Sequence, residues 1–251
     1  MDGRHFHLDQ AGPVRVGRKA LAVNLSDIAA MGGKPVAAVV GLVLPQVGGR
    51  AVAKQLFLGM RDLAAEFDTA IVGGDTNSWN GPLVVAVTVI GDTAGKQPIC
   101  RNGAKPGDVL LVTGTFGGSL KGKHLDFVPR VREVLLLREH AEIHAMIDVS
   151  DGLSADVHHL CEESACGCVL RAEDIPMSAS CSTLEQALGD GEDFELAFAV
   201  SQTDARRLLA AQPLPGVPIT AIGEFVPSGF WIERDGQRAV LEPRGWQHDL
   251  D

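Results

Sequence analysis

Apolar residues recur along the chain at two spacings, and the spacing changes at glycine and proline. Residues 15–31 carry apolar positions at helical spacing and predict a largely buried helix. The continuous apolar run 36–44 predicts a buried strand that Pro45 ends. Similar patterns predict helices over 49–67, over 129–144 and from Ser150 to about 163, and strands over 69–72, 83–90, 109–114, 168–170, 194–200 and 219–223, with another strand running into Asp148.

Two segments interrupt this periodicity. The sequence GGDT at 73–76 is predicted to form a turn between two strands. Residues 92–108 combine glycine, proline and charge without any period, which predicts a domain boundary. Alternating strands and helices in two halves favour an α/β (α+β) fold. We therefore expect two α/β domains, residues 1–100 and residues 101–251.

Composition narrows the class of protein. The 251 residues include 22 basic and 32 acidic side chains, a net charge of −10, which argues against a nucleic-acid partner. The longest apolar runs reach only about half of the ~18 residues that a membrane span needs, so no membrane partner is predicted. The first residues lack the basic start and following apolar stretch of a secretion signal. The chain has five cysteines, an odd number that suits a reducing compartment. These features together predict a cytoplasmic protein.

Aspartates at element ends are the candidate chemistry. Asp75 follows an apolar strand and Asp148 ends another, where α/β sheets usually place ligands. Asp151 follows three residues later, where a helix N-cap is the alternative. Asp27 has apolar neighbours nearly all round, and burial of an unpaired carboxylate is costly unless a metal or cation faces it. Such hard oxygen ligands suit Mg²⁺ that also binds substrate phosphates, which indicates a magnesium–nucleotide enzyme.

Two other patterns are weaker. Gly117, Gly122 and Lys123 nearly spell a phosphate-binding P-loop, but His124 stands where a Ser or Thr would contact Mg²⁺. A glycine-rich loop without that role is the favoured interpretation. Three cysteines and two histidines lie close together in sequence, yet their spacing lacks the paired Cys-x-x-Cys pattern of structural zinc sites. We expect these cysteines, at positions 161, 166 and 168, to pack in the interior.

Six segments in order resemble the thiamine-monophosphate kinase family. They are KALAVNLSDIAAMGGKP, IVGGDTNSWNGPLVVAVTVIGD, RNGAKPGD, AMIDVSDGLSADVHHL, GDGEDFEL and GWQHD. The resemblance implies ATP-dependent phosphorylation of thiamine monophosphate to thiamine diphosphate. It also implies the two-domain fold of aminoimidazole ribonucleotide synthetase and its relatives. In that fold, the N-terminal domain forms a homodimer through its sheet, and the active site lies in the cleft between the domains.

The same resemblance implies a role for each matching residue. It assigns metal binding to four aspartates, nucleotide contacts to three residues and thiamine monophosphate contacts to three more. Direct in-line transfer assisted by several Mg²⁺ ions is implied, with no general base because the acceptor oxygen is already anionic. The metal ligands are Asp27, Asp75, Asp148 and Asp151; the nucleotide residues are Arg101, Ser150 and Phe57; the substrate residues are His5, Glu192 and Trp246.

The resemblance has one departure. In the family, several tens of residues with further metal-binding aspartates precede the motif that contains His5, whereas here His5 follows four residues. A start codon assigned too far downstream is the favoured explanation, with a fragment or a shortened relative as alternatives. Two other functions remain open: another ATP-dependent enzyme of the same fold, and a non-catalytic relative that binds thiamine phosphate or nucleotide.

Overall fold

The structure, a computed structural model, describes residues 1–246 and divides them into two compact units. Unit 1 comprises residues 1–29, 33–96 and 125–131. Unit 2 comprises residues 30–32 and 97–124 and the chain from Arg132 onward. Each unit has its own sheet flanked by helices, so the predicted α/β class is confirmed. Among the described residues, no helix has the length and apolar character needed to cross a membrane.

Unit 1 is built on a three-stranded sheet. Strand β1 pairs in parallel with β2 and antiparallel with β3, which gives the order β2-β1-β3. Helix α3 packs against β1 and β2, and it buries Leu56, Met60 and Leu63 at helical spacing. The elements are α1 (Leu8–Ala11), α2 (Pro13–Ala30), β1 (Lys34–Pro45), α3 (Gly49–Glu66), β2 (Ala70–Trp79) and β3 (Val84–Asp92).

The predicted turn at 73–76 is wrong, because β2 continues through these residues. Asp75 therefore lies in the interior of a strand, opposite Gly41 of β1, and not at a strand end. The reason is local packing at Gly74. A Cβ at Gly74 would lie 1.8 Å from the carbonyl oxygen of Val40, so only glycine lets the two backbones stay in register here. The glycines support strand pairing at this position, where the sequence pattern indicates a turn.

Unit 2 is built on a seven-stranded sheet of order β10-β9-β6-β8-β4-β7-β5. All neighbouring pairs are antiparallel except β6 and β9, which are parallel. The remaining α-helices and strands in the described part of the chain are β4 (Val109–Thr113), α4 (Lys123–Asp126), α5 (Val131–His140), β5 (Ile143–Asp148), α6 (Leu153–Glu163), β6 (Gly167–Arg171), α7 (Leu184–Gly189), β7 (Leu196–Val200), α8 (Gln202–Ala211), β8 (Ile219–Val226), β9 (Phe230–Arg234) and β10 (Gln237–Val240).

The predicted helix over 129–144 is too long at its C-terminal end. Helix α5 ends at His140, and Ile143 already pairs with Val200 of β7. Tertiary pairing with β7 therefore overrides the helical spacing of the apolar residues in this segment. The consequence is a full strand β5, whose last residue is Asp148.

Candidate active site

The loop that joins β5 to α6 carries two of the predicted metal ligands. Asp148 ends β5, as the sequence predicts, and it is buried at 4% exposure. Asp151 is half-buried and precedes Gly152, which occupies the N-cap position of α6. The N-cap alternative for Asp151 is therefore wrong, since its carboxylate stands outside the helix. The loop places two carboxylates within four residues of chain.

A third carboxylate, which sequence reasoning missed, holds this loop. Oδ2 of Asp156, in the first turn of α6, accepts hydrogen bonds from the backbone N–H groups of Ser150, Asp151 and Gly152 at 3.0, 3.0 and 3.1 Å. Burial raises the pKa of Asp156 to about 7; the charges of Asp151 and Asp148 also raise it, and the N–H bonds oppose the rise. The turn that carries the predicted ligands is thus fixed from the helix side.

The segment that contains Glu192 lies directly against the same turn. The N–H of Glu192 donates to the carbonyl oxygen of Ser150 at 2.7 Å. Gly191 is so close that a Cβ there would lie 2.9 Å from the Ser150 oxygen and 2.8 Å from the Asp151 oxygen. Glu192 itself has a left-handed backbone, with φ of 54°, which costs free energy in a non-glycine residue. The segment that carries the predicted substrate residue Glu192 is therefore hydrogen-bonded directly to the predicted metal-binding turn.

Residues 241–246, the C-terminal strap, complete this cluster. The N–H of Trp246 donates to the carbonyl oxygen of Asp151 at 2.9 Å, and the indole side chain is exposed. Helix α6 holds the strap through two side chains. The hydroxyl of Ser154 accepts the N–H of Arg244 at 3.2 Å and donates to the carbonyl oxygen of Glu242. Nε2 of His158 donates to the carbonyl oxygen of Leu241 at 2.8 Å.

The remainder of the GWQHD motif, residues 247–249, lies outside the described residues. Gly245 and Trp246 are the members of that motif that the structure describes, and a Cβ at Gly245 would lie 2.5 Å from the carbonyl oxygen of Asp151. Trp246 is the residue of the motif to which the resemblance assigns a substrate contact.

The loop that resembles a P-loop makes different contacts. Lys123 donates to Oε1 of Glu195 at 3.1 Å, and the N–H of Gly117 bonds both carboxylate oxygens of Asp193 at 3.1 Å. In a phosphate-binding loop these groups would face the nucleotide. Burial raises the pKa of Asp193 to about 7, while the Gly117 bond and the Lys123 charge oppose the rise. The N–H of Gly117 and the ammonium group of Lys123 therefore donate to carboxylates of unit 2.

The candidate residues of unit 1 lie on separate elements. Asp27 is exposed on α2, so the argument that its apolar neighbours would bury it is wrong: the helix buries Leu25 and turns Asp27 outward. Asp75 is exposed in β2. Phe57 is 51% exposed on α3, and His5 is exposed in the N-terminal segment, where buried Lys19 donates to its carbonyl oxygen at 2.7 Å.

Two further sequence features belong to unit 2. Arg101 is exposed, and its carbonyl oxygen accepts a hydrogen bond from the Ser164 hydroxyl at 3.0 Å. Cys161, Cys166 and Cys168 are buried in the core of unit 2. A hydrogen bond with Cys168, together with burial, raises the pKa of the Cys161 thiol. A neutral thiol favours packing over metal binding at this position.

Three potential metal ligands come together at one place in residues 1–246. Ligand atoms of Asp151, Asp156 and His159 lie within 4.8 Å of one another. His159 is exposed, whereas Asp156 is 2% exposed. Because Oδ2 of Asp156 already faces three N–H groups, Asp151 is the member of this group best placed to face an ion. The structure thus brings together Ser150, Asp151, Glu192 and Trp246 within unit 2.

Comparisons with known proteins identify the class. Residues 1–93 match the AIR synthase related protein, N-terminal domain, and residues 118–231 match the C-terminal domain of the same family. Hydrogenase maturation protein structures at 18–22% identity share this fold. The chain is therefore an AIR synthase related protein with both domains of that class.

Closer relatives identify the family. A thiamine-monophosphate kinase of Rhodopirellula baltica is 39% identical, over 92% of this chain and 75% of the relative. The Escherichia coli K12 thiamine-monophosphate kinase is 34% identical, over 98% and 83%. The chain belongs to the thiamine-monophosphate kinase family.

Solved structures agree. Thiamine-monophosphate kinase from Stenotrophomonas maltophilia K279a is 32% identical with a TM-score of 0.80, over 95% of this chain and 83% of that chain. AaThiL complexed with AMPPCP and TMP is 28% identical with a TM-score of 0.85, over 99% and 84%. The two alternative functions, another enzyme of this fold and a non-catalytic relative, are not favoured by these relatives.

Proposed function

We propose that this chain transfers the γ-phosphoryl group of ATP to the phosphate of thiamine monophosphate and so forms thiamine diphosphate. Membership of the family supports the reaction, and the related AaThiL was solved with an ATP analogue and TMP. The observation that carries the proposal here is the hydrogen-bonded cluster of unit 2. Its two backbone contacts, from Glu192 to Ser150 and from Trp246 to Asp151, join the predicted substrate residues to the predicted metal-binding turn.

Magnesium fits the donor chemistry of this cluster. Asp148 and Asp151 offer carboxylate oxygens on one loop, and hard oxygen ligands are those that Mg²⁺ prefers. We assign metal binding to these two residues in unit 2 and to Asp27 and Asp75 in unit 1, where both carboxylates are exposed. When bound, Mg²⁺ supplies neutralisation of phosphate charge.

Substrate binding is assigned to side chains that suit a cationic thiazolium. The exposed indole of Trp246 offers an aromatic face, and Glu192 offers a carboxylate. We assign His5 of unit 1 to the same substrate. Nucleotide contacts are assigned to Ser150, Arg101 and Phe57. The exposed ring of Phe57 and the exposed guanidinium of Arg101 are accessible to a base and to phosphates, respectively.

Proton transfer has a minor part in this mechanism. The acceptor is a phosphate oxygen that is already anionic, so no side chain must remove a proton from it. Positioning of the two phosphates and neutralisation of their charge supply the catalysis. We accordingly assign no general base.

An acceptor comparison tests the proposal. The 251-residue chain is incubated with Mg-ATP and either thiamine monophosphate or thiamine, and the products are separated by chromatography. We expect thiamine diphosphate from thiamine monophosphate and no product from thiamine. Asp151→Asn should lower the rate by ~100-fold through loss of an ionised ligand, whereas Asp174→Asn, a change in an exposed ion pair with Arg171, should not. Equal turnover of thiamine, or an unaffected Asp151→Asn variant, would contradict the proposal.

A homodimer through the sheet of unit 1 is also proposed. Val39, Val72 and Ile90 on this sheet are 42%, 63% and 63% exposed, and exposed apolar clusters mark interaction surfaces. A second copy of the chain would cover them. Light scattering should give the mass of a dimer for the wild type and of a monomer for Ile90→Asp; a monomeric wild type would contradict the proposal.

A cytoplasmic location is proposed on the state of the cysteines. All five are free thiols in the structure. Free thiols suit a reducing compartment. Fractionation of the source cells, followed by immunodetection of the chain, would test this location.

A further inference from the structure

We propose that Asp156 is a positioning residue that holds the turn Ser150–Gly152 in the conformation required to bind metal and nucleotide. The inference rests on the proposed function, because Ser150 and Asp151 receive their roles there. Asp156 is not one of the residues that the resemblance assigns to ligand binding. Its place in the reaction is inferred from the hydrogen bonds of its carboxylate alone.

The geometry of these bonds supports the inference. Three consecutive N–H groups, from residues 150, 151 and 152, converge on the single oxygen Oδ2. One acceptor can satisfy three consecutive donors only if the backbone curls around it, so the carboxylate selects one conformation of the turn. A carboxylate is a stronger acceptor for N–H groups than a neutral oxygen. Asp156 itself is fixed because it lies in α6 and is 2% exposed.

The opposite side of the turn is also anchored. The carbonyl of Ser150 accepts the N–H of Glu192 at 2.7 Å, and the carbonyl of Asp151 accepts the N–H of Trp246 at 2.9 Å. Asp156 therefore binds the amide side of the turn while the substrate segments bind its carbonyl side. Loss of Asp156 would leave the amides without their acceptor and would free the side chains of Ser150 and Asp151 to move.

Direct metal binding by Asp156 is the competing interpretation, because Asp151, Asp156 and His159 form a possible ligand group. The three N–H groups direct their positive ends at Oδ2, which is unfavourable for a cation at that oxygen. The first turn of α6 adds further positive potential there. These electrostatics favour an anchoring role for Asp156, and they leave Asp151 as the residue that faces the ion.

Four variants separate these roles. Asp156→Ala removes the acceptor, and Asp156→Asn keeps a neutral one. His159→Ala removes the third member of the possible ligand group. Asp108→Asn is the matched control: Asp108 is also a buried carboxylate, 6% exposed, that accepts a backbone N–H at 2.8 Å and pairs with His144 at 2.7 Å in the same unit.

Two measurements are made on each variant. The first is hydrogen exchange of the amides of residues 150–152 in the metal-free protein, which needs no activity. The second is the Mg²⁺ concentration at half-maximal rate of thiamine diphosphate formation. Asp156→Ala should expose these amides to exchange and raise that concentration by 10–100-fold, with a larger effect on it than on kcat. Asp156→Asn should give a smaller change in both, and Asp108→Asn and His159→Ala should change neither.

The outcomes distinguish the inference from the proposed function. Unchanged exchange at 150–152 in Asp156→Ala, or an unchanged Mg²⁺ requirement, would overturn the positioning role. If His159→Ala raised the Mg²⁺ concentration at half-maximal rate as much as Asp156→Ala does, the result would also overturn the positioning role, in favour of direct metal binding. If Asp156→Ala does not fold, Asp156→Asn must show the graded change in exchange and Mg²⁺ requirement, and its absence would overturn the inference. A wild type that forms no thiamine diphosphate would contradict the proposed function, while the exchange measurement would still decide the role of Asp156.

Discussion

The backbone N–H of Trp246 donates to the carbonyl oxygen of Asp151 at 2.9 Å, which joins a residue of the C-terminal strap to the turn after β5. The two residues are far apart in sequence, and different roles are proposed for them: Trp246 for binding thiamine monophosphate and Asp151 for binding metal. Their contact means that displacement of the strap must also disturb the turn. Helix α6 supports both partners, since Asp156 holds the turn and Ser154 holds the strap.

Removal of the Ser154 hydroxyl should weaken binding of thiamine monophosphate. Ser154→Ala deletes both bonds to the strap, so Trp246 loses support and KM for thiamine monophosphate should rise by ~5-fold, as a loss of about 1 kcal/mol predicts. KM for ATP should change less. Steady-state kinetics with each substrate varied in turn give both values.

Ser201→Ala is the control for that experiment. Ser201 caps α8 by accepting the N–H of Asp204 at 3.1 Å, so its loss costs a comparable ~1 kcal/mol of stability in another part of unit 2. It should leave both KM values unchanged. Equal KM values for Ser154→Ala and Ser201→Ala would contradict a role of the strap in substrate binding.

Lys123 should contribute to stability and not to nucleotide affinity. Lys123→Met removes the ion pair with Glu195 and leaves a buried carboxylate with fewer partners, so the free energy of unfolding should fall by ~2 kcal/mol. This loss is smaller than for a fully buried ion pair because Lys123 is about one-third exposed and solvent screens its charge. The double variant Lys123→Met, Glu195→Gln should recover part of this loss. Urea unfolding of both variants measures it. A large rise in KM for ATP with unchanged stability would instead indicate a phosphate-binding lysine.

Asp193 should make stability fall as pH rises. Its pKa is about 7 in the folded chain and near the ordinary 3.8 in the unfolded chain, so between these values the folded state holds a proton that the unfolded state has lost. Its stabilising contribution is complete below about pH 4 and is lost as pH rises toward 7; the full difference corresponds to at most ~4 kcal/mol. Asp193→Asn removes this titration.

Urea unfolding at several pH values between 4 and 7.5 tests the sign. The stability of the wild type relative to Asp193→Asn should decline across that range and then level off. A difference that is constant with pH, or that increases toward pH 7, would show that the Gly117 and Lys123 contacts outweigh burial.

Much of unit 2 could be predicted from local sequence. The apolar run before Asp148 gives β5 its C-terminal end, and helical spacing indicates α6, but the predicted start of this helix at Ser150 is wrong because α6 begins at Leu153. The turn before it depends on the carboxylate of Asp156, which accepts the N–H groups of residues 150–152, and the sequence pattern does not predict it. Asp156 is not among the predicted site residues, because charged residues are common on helices. The signal was available: it lies among the apolar positions of α6, where a carboxylate must find partners if it is buried.

Features that depend on contacts distant in sequence could not be predicted. Gly73–Thr76 reads as a turn because glycines and Asp75 are typical of turns, but pairing with β1 extends the strand through them. Asp27 lies in an apolar stretch, but the rotation of α2 that turns it outward is decided by packing. Five strands, β6 to β10, separate α6 from the strap in sequence, so no local pattern encodes the contacts between them.

Transfer of labelled phosphate tests the central claim most directly. The chain is incubated with Mg-ATP labelled at the γ-phosphorus and with thiamine monophosphate, and the thiamine diphosphate is isolated and its terminal phosphate released. The account predicts that the label is in this terminal phosphate, that EDTA abolishes its transfer, and that Asp75→Asn and Asp151→Asn reduce it severely. Release of the label only as inorganic phosphate would contradict the account, as would transfer by both variants at the wild-type rate.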